Sequence, residues 1–256
     1  MTTETISKSH PKDIWKYLAW TFGWSWGIWL LLILLQALSL EFLLPWLMPV
    51  SIIASFGPAL GAKMALGLSF RELWGYIFSR RPKAWLPLIL LMVMETLTYS
   101  LASEGWNSNR PFWLLPILFI FVLVCGGGNE ELGWRGFLQP ALEKRFSFWQ
   151  ATVLTGLAWI VWHVPLWFMP GSNQAGTSFL VFIADVLIIS FVFAGLYKHS
   201  RSIWYCCLLH AFNNTIAGSF VREGFNYIIY FVGIGLMAVY AVWLWYRADV
   251  KNKEEE

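Results

Sequence analysis

The sequence predicts an all-α integral membrane protein with about eight transmembrane helices and one shorter amphipathic helix. Two observations lead to this fold class. Hydrophobic residues make up 58% of the 256 residues and charged residues only 13%, against about a quarter charged in soluble domains. The charges are also absent from long runs, such as the 24 residues from Tyr17 to Leu40 and the 23 from Gly224 to Tyr246. Because roughly 20 helical residues cross the hydrocarbon core, each such run predicts one span.

The uncharged runs and the turn residues between them define the individual elements. The predicted spans are residues 17–40, 45–68, 84–102, 111–127, 150–169, 178–197, 203–221 and 225–246. The first is too long for the apolar core of a cleaved signal peptide, which has about 7–15 residues, so we interpret it as retained. The amphipathic helix is expected near residues 129–145, and a short surface helix within residues 69–83.

The charge of the linkers predicts the orientation. Of the 18 Lys and Arg residues, 15 fall on one predicted side, whereas Arg110 and Arg222 fall on the other and Arg135 lies within a helix. Positive residues stay in the cytoplasm. We therefore expect a multi-pass protein of the cell membrane, which in a bacterium is the plasma membrane. Both termini are expected to be cytoplasmic. The chain is predicted to be a single membrane domain, residues 1–256, with cytoplasmic tails at 1–16 and 247–256.

Ionisable side chains inside the bundle are the candidates for function, since a charge at the bilayer centre costs at least about 2.5–3.5 kcal/mol. Residues 125–140 read CGGGNEELGWRGFLQP. The glycines interrupt one helix, and Asn129 is predicted to cap the next. Glu131 and Arg135 are four residues apart and can pair, whereas Glu130 points about 100° away and is expected to stay unpaired within the motif. A buried carboxylate of that kind suits a general base or acid, although the same spacing also occurs in ordinary surface helices.

Two further helices carry paired polar side chains. Trp159 and His163 are four residues apart and share a helix face, as do His210 and Asn214. His163 by itself could serve only to hydrogen-bond a neighbouring helix. Together with Glu130, however, these residues supply what peptide hydrolysis needs. The requirements are a base for the water, a histidine that relays a proton, and donors that stabilise an oxyanion.

Jointly, these motifs resemble the CPBP family, the CAAX-protease and bacteriocin-processing (Abi) membrane proteins that include the type II CAAX prenyl endopeptidases. The family pattern is E-E-x-x-x-R, then F-x-x-x-H, then H-x-x-x-N or H-x-x-x-D, on separate membrane helices. The chain matches the first pattern at Glu130–Arg135 and the third at His210–Asn214, whereas Trp159 replaces the usual Phe before His163. The resemblance covers about residues 111–220, the expected catalytic core.

What the resemblance implies is an intramembrane endopeptidase. Its implied catalytic residues are Glu130, His163, His210 and Asn214. Its implied supporting residues are Glu131, Arg135 and Trp159. In this scheme Glu130 activates the water with help from His163, and the other two catalytic residues form the oxyanion site.

The metal requirement and the partners are less closely defined. The family is often described as metalloproteases, and Glu130, His163 and His210 form an alternative zinc set. No H-E-x-x-H sequence occurs, which excludes the common zincin arrangement, and we favour hydrolysis without a required cofactor. The expected partners are membrane lipids and a peptide or protein substrate, with a lipidated C-terminus or a leader peptide as candidates. No nucleic-acid partner is expected.

Two other functions fit part of the pattern. A transporter also uses broken helices and buried carboxylates, but it predicts an internal repeat that we do not find in the sequence. A non-hydrolytic membrane factor, such as a bacteriocin-immunity protein, could retain the same residues as a binding pocket. The other intramembrane acids, Glu95 and Asp185, are interpreted as polar contacts within the bundle. The three cysteines are interpreted as core residues rather than disulfides or metal ligands.

Overall fold

The computed structural model describes residues 11–38, 44–77 and 84–254 of the chain, and it confirms the all-α fold class, with no strand in those ranges. The main helices are α1 (Pro11–Ala37), α2 (Leu44–Ala54), α3 (Gly57–Leu66), α4 (Phe70–Ile77), α5 (Trp85–Ala102), α6 (Leu115–Cys125), α7 (Phe148–His163), α8 (Phe179–Ser200), α9 (Ile203–Ala217) and α10 (Tyr227–Glu254). Helix α4 confirms part of the predicted surface helix. Lys8, Arg80, Arg81 and Lys83, four of the charges used for orientation, lie outside the described residues.

Within the described ranges, seven helical segments are long and apolar enough to cross a membrane, so the chain is a multi-pass membrane protein. They are Asp13–Ala37, Pro49–Leu66, Trp85–Ala102, Phe112–Leu142, Phe148–Phe168, Phe179–Ser200 and Tyr227–Val250. The remaining predicted span, residues 203–221, corresponds to α9, which has 15 residues. At about 1.5 Å per residue, α9 extends roughly 22 Å and is shorter than the hydrocarbon core of about 30 Å.

The helix predicted near residues 129–145 is a run of unlike helical turns, called here the motif segment (residues 128–142). It consists of a 3-10 turn (Gly128–Glu130), an α turn (Glu131–Gly133), a π turn (Trp134–Leu138) and a second α turn (Gln139–Leu142). Every residue from 128 to 139 is buried, so the segment has no exposed polar face there. A π turn is rare and is frequently found at functional sites.

The chain divides into two compact units. The first unit contains Met1–Tyr76 and Asn129–Leu187, and the second contains Ile77–Gly128 and Ile188–Glu256. The chain therefore passes from the second unit to the first at the peptide bond between residues 128 and 129, just before the first sequence motif, which begins at Glu130.

In the first unit, small residues let α1 and α3 approach closely. Gly57 and Gly61 are four residues apart on α3, and a Cβ atom on either would overlap a hydroxyl of α1, that of Ser25 or that of Thr21. The Ser25 hydroxyl also donates to the carbonyl of Ala54, at 2.7 Å. A G-x-x-x-G pair of this kind is a common contact between membrane helices, because the missing side chains permit close backbone packing.

The motif segment packs on the same pair of helices. A Cβ atom at Gly133 would lie 2.5 Å from the carbonyl oxygen of Pro58 and 2.6 Å from the hydroxyl of Tyr17. The Tyr17 ring contacts the rings of Trp134 and Phe137, at centroid distances of 6.0 and 5.0 Å. The motif segment is thus held between α1 and α3 inside the first unit.

In the second unit, α9 packs on α5 and on α6, and α10 packs on α5. Backbone hydrogen bonds join the loops that follow α5 and α9, from Asn107 to Ser219 at 2.9 Å and from Val221 to Gly105 at 3.0 Å. These bonds fix the end of α9 relative to α5. The three cysteines form no disulfide, as predicted, and two of them are buried in α9.

Candidate active site

Glu130 is a buried carboxylate, 6% exposed, held by indole groups. Its Oε2 atom accepts a hydrogen bond from Nε1 of Trp159 at 2.9 Å and a longer one from Nε1 of Trp134 at 3.4 Å. Trp134 lies four residues along the motif, so the expectation that Glu130 has no partner within the motif is wrong. Neutral N–H donors orient a carboxylate without adding a positive charge, which leaves its negative charge for chemistry.

Glu131 and Arg135 form the ion pair that their spacing predicts. The distance from Glu131 Oε1 to Arg135 Nη1 is 3.2 Å, and both side chains are 0% exposed. The guanidinium carbon of Arg135 also lies 5.1 Å from the centre of the Trp159 ring, within the range of a cation–π contact. Breaking a buried pair of this kind leaves one charge uncompensated. These contacts indicate a structural role for the pair.

His163 stands at the end of α7 and is oriented by the turn that precedes it. Its Nδ1 atom lies 2.9 Å from the carbonyl oxygen of Trp159. Because a carbonyl only accepts, Nδ1 is assigned the proton, and Nε2 is then the acceptor nitrogen of the neutral ring. The ring is buried and contacts Phe182 and Trp162 at centroid distances of 5.1 and 4.7 Å. The arrangement suits a proton relay.

Trp159 connects all of these groups, which sequence reasoning did not anticipate. The sequence gives it only an aromatic supporting role. In the structure, its indole N–H donates a hydrogen bond to Glu130, and its carbonyl accepts one from Nδ1 of His163. Its ring also faces the guanidinium of Arg135. A phenylalanine could keep the ring and the carbonyl but has no N–H to donate. The sequence signal that could have indicated this role is the Trp at position 159, where the family pattern usually has Phe.

In the second unit, the side chains of His210 and Asn214 on α9 contact the backbone of the glycine run at Gly126 and Gly127. The Asn214 amide donates to the carbonyl of Gly126 at 2.7 Å. A Cβ atom on Gly127 would lie 2.5 Å from Nδ2 of Asn214 and 2.9 Å from Nε2 of His210. Gly127 also has a φ of 145°, a conformation that other residues rarely adopt. The glycines therefore do more than end α6, because they let two polar side chains of α9 rest directly on the backbone.

Asn129 does not cap the motif segment, so that prediction is wrong. The residue at the N-cap of the first α turn is Glu130, and its side chain makes no cap hydrogen bond. Asn129 instead lies inside the preceding 3-10 turn, and its amide donates to the carbonyl of Ser55 at 3.3 Å. The reason is the tighter entry turn, which moves the start of the α turn past Asn129.

Glu95, on α5, is 1% exposed and accepts a hydrogen bond from the amide of Asn213. This confirms the interpretation of Glu95 as a polar contact within the bundle. Asp185, on α8, is partly buried.

The predicted site residues fall into two groups. One group lies in the first unit and consists of Glu130, Glu131, Arg135, Trp159 and His163. The other lies in the second unit and consists of His210 and Asn214. The joint action of the two groups stays a prediction. Among the residues that the structure describes, no three His, Cys, Asp or Glu side chains are grouped to hold a metal ion, so we assign no step to the alternative zinc set.

The sequence reasoning did not identify four supporting residues, of which three lie in the first two predicted spans and one lies in the motif segment. They are Tyr17, Gly57, Gly61 and Gly133. The G-x-x-x-G spacing of Gly57 and Gly61 in an apolar segment is a readable signal for close helix packing. Nothing in the sequence marks Tyr17, because one aromatic residue among many in α1 has no distinguishing pattern.

Comparison with known proteins places the similarity over the same motifs. Residues 111–216 match the family model described as type II CAAX prenyl endopeptidase Rce1-like. Over 72 residues the chain is 39% identical to a protein of Methanococcus maripaludis named CAAX prenyl protease 2. That stretch covers 28% of this chain and 25% of the relative, so the match spans about a quarter of the length of the curated protein. The matched family domain contains all seven predicted site residues. Residues 111–216 of the chain are therefore similar to the type II CAAX prenyl endopeptidases.

Proposed function

We propose that the chain is an intramembrane endopeptidase in which Glu130 activates the hydrolytic water. The observation that supports this most directly is the setting of Glu130, a buried carboxylate oriented by the indole of Trp159, which also orients His163 through its carbonyl. A carboxylate and an imidazole held by one residue are suited to move a proton between water and substrate. The similarity of residues 111–216 to the CAAX prenyl endopeptidases supports the same reaction class.

The proposed reaction uses the side chains in sequence. Glu130 removes a proton from water as the water oxygen attacks the carbonyl carbon of the scissile peptide bond. The oxygen of the resulting tetrahedral intermediate is stabilised by donors from His210 and Asn214. The proton then passes to the leaving nitrogen, with His163 assisting its transfer, and the C–N bond breaks. The products are a carboxyl group and a free amino group.

The scheme requires His210 and Asn214 to act on the same peptide bond as Glu130. Loss of Asn214 should therefore lower turnover of the same substrate that Glu130 cleaves.

The substrate is proposed to be a peptide or protein that reaches the membrane, with a lipidated C-terminus or a leader peptide as the candidates. The name of the Methanococcus relative refers to prenylated CAAX substrates, which makes a farnesylated CAAX peptide the first substrate to test. We also propose that both termini are cytoplasmic, which attachment of a reporter protein to either end would check.

The deciding experiment measures cleavage by the full chain purified in detergent, using a farnesylated CAAX-type peptide and an unmodified leader-type peptide. Glu130→Gln should reduce turnover by about 10³-fold or more while the protein stays folded. Glu223→Gln, the same substitution at an exposed position, is the control and should cleave at the wild-type rate. Equal turnover by Glu130→Gln would show that the base is assigned wrongly. If the wild type binds either peptide but cleaves neither, the non-hydrolytic alternative is favoured.

Metal dependence has a separate test, with 1,10-phenanthroline added to the same assay. The proposed mechanism predicts unchanged turnover in the chelator. Loss of turnover that added Zn²⁺ restores would instead favour the zinc set of Glu130, His163 and His210.

A further inference from the structure

Glu95 is a buried carboxylate that the proposed reaction does not use. It lies ten residues from the start of the 18-residue helix α5 and is 1% exposed. At about 1.5 Å per residue, this position is roughly 15 Å from the first residue of the helix, so it is near the middle of the span. Carboxylates are costly at this depth and are normally retained for a defined contact. Here the contact is a hydrogen bond from the amide of Asn213 to Oε1 of Glu95.

Asn213 lies next to the proposed oxyanion residues on α9. It follows His210 by three residues and precedes Asn214 by one, so its side chain points about 100° away from that of Asn214 around the helix. The Asn214 amide donates to the backbone at the end of α6, whereas the Asn213 amide donates to α5. Two polar contacts in different directions therefore act on one helix.

These two contacts define the rotation of α9 about its axis. The hydrophobic effect is non-directional, whereas a hydrogen bond requires its partners within a narrow range of distance and angle. Asn214 alone fixes one point of the helix surface. Asn213 fixes a second point, and the two contacts restrict rotation of α9 in addition to the loop hydrogen bonds at its end.

We propose that Glu95 is a positioning residue for the oxyanion site, acting through Asn213 on the rotation of α9. The inference rests on the proposed function for its kinetic consequence. Its structural part, that Glu95 and Asn213 hold α9, concerns only contacts within the second unit. In this scheme the effect of Glu95 reaches His210 and Asn214 through α9, the helix that carries Asn213 as well.

The kinetic test compares four variants in the farnesylated-peptide assay. Glu95→Leu should lower kcat by about tenfold or more with KM changed less than about twofold, because a small misplacement affects the transition state more than binding. Glu95→Gln should keep kcat within about threefold, because its amide oxygen still accepts from Asn213. Thr96→Val is the matched control on the same helix, since the Thr96 hydroxyl donates only to its own turn, at Met92. The double variant Glu95→Leu/Asn213→Leu replaces both partners by apolar groups, which favours a folded protein, and it should be no slower than Glu95→Leu.

Two results would overturn the inference. One is a double variant that folds and retains the wild-type kcat, and the other is a Glu95→Gln variant as slow as Glu95→Leu. Hydrogen exchange of residues 203–217 gives a readout that does not need catalysis, and exchange there should rise in Glu95→Leu but not in Glu95→Gln or Thr96→Val. If the wild type proves inactive while exchange responds in this way, the proposed function fails and the positioning of α9 stands. If the wild type cleaves and α9 exchange is unchanged in Glu95→Leu, the positioning fails and the function stands.

Discussion

Gly127→Ala perturbs the contact between the glycine run and the two polar side chains of α9 by adding a single methyl group. The added Cβ atom would lie 2.5 Å from Nδ2 of Asn214 and 2.8 and 2.9 Å from Cδ2 and Nε2 of His210. Ordinary contacts between non-bonded heavy atoms are about 3.5–4.0 Å long. Both side chains must therefore move by roughly 0.5–1 Å or more.

The size of the effect follows from that displacement. A misplacement of about 1 Å in a catalytic group can cost about 10²-fold in rate, so kcat/KM of Gly127→Ala should fall by about two orders of magnitude. The φ of 145° adds a second cost, because a non-glycine residue in such a region is strained by about 1–3 kcal/mol. The thermal unfolding temperature should therefore also fall by several degrees.

The assay is peptide cleavage per mole of folded protein, and Gly126→Ala is the matched control. Its Cβ atom would lie no closer than 3.4 Å to any neighbour, its φ of −140° is outside the left-handed range that favours glycine, and its carbonyl would still accept from Asn214. If Gly127→Ala cleaves within threefold of Gly126→Ala, the reasoning that places the oxyanion donors on this glycine is refuted.

Three further predictions concern the first unit. Trp159→Phe removes the indole donor to Glu130 but keeps the ring, so kcat/KM should fall by about 10- to 100-fold with little change in thermal stability, and unchanged turnover would show that this bond does not orient the carboxylate. Glu131→Gln leaves Arg135 without its carboxylate and should lower the free energy of unfolding by about 3–5 kcal/mol, and a variant as stable as the wild type in detergent unfolding would contradict the structural role. Hydrogen bonds from the serine three residues earlier hold the pKa of Glu72 below its usual value. The contribution of the ionised Glu72 carboxylate to the stability of α4 is thus fully present above the unfolded pKa of about 4.3. It is lost as the pH falls through the lower folded pKa. A ¹³C titration of the Glu72 carboxyl would check this.

The spacing of the motifs was sufficient for contacts made within one helical turn. Glu131 and Arg135 are four residues apart and form the predicted pair, and the carbonyl of Trp159 meets His163 at the same spacing. Such pairs depend only on helical geometry, which local sequence already implies. The expectation for Asn129 failed because it assumed an ordinary α-helical start, and the 3-10 entry turn changed which residue occupies the N-cap.

The contacts of Glu130 and the role of the glycines required the fold. The hydrogen bond from Trp159 joins residues 29 positions apart, and the contact of Gly127 with α9 joins segments more than 80 positions apart. No periodicity in the chain relates such distant positions. A glycine run in a sequence indicates a helix break, but whether another side chain occupies the space above it depends on which helix packs there.

By itself, the sequence determined that this chain is a membrane protein, that it folds as helices, and which residues form its motifs. Hydrophobic run length and residue spacing are local properties, and they directly determine membrane insertion and which residues share a helix face. Only the tertiary structure decided that the indole of Trp159 holds Glu130, that small residues at Gly57, Gly61 and Gly133 seat the motif segment, and that Glu95 contacts α9. Those contacts arise between helices, where packing in three dimensions selects partners that linear order does not specify.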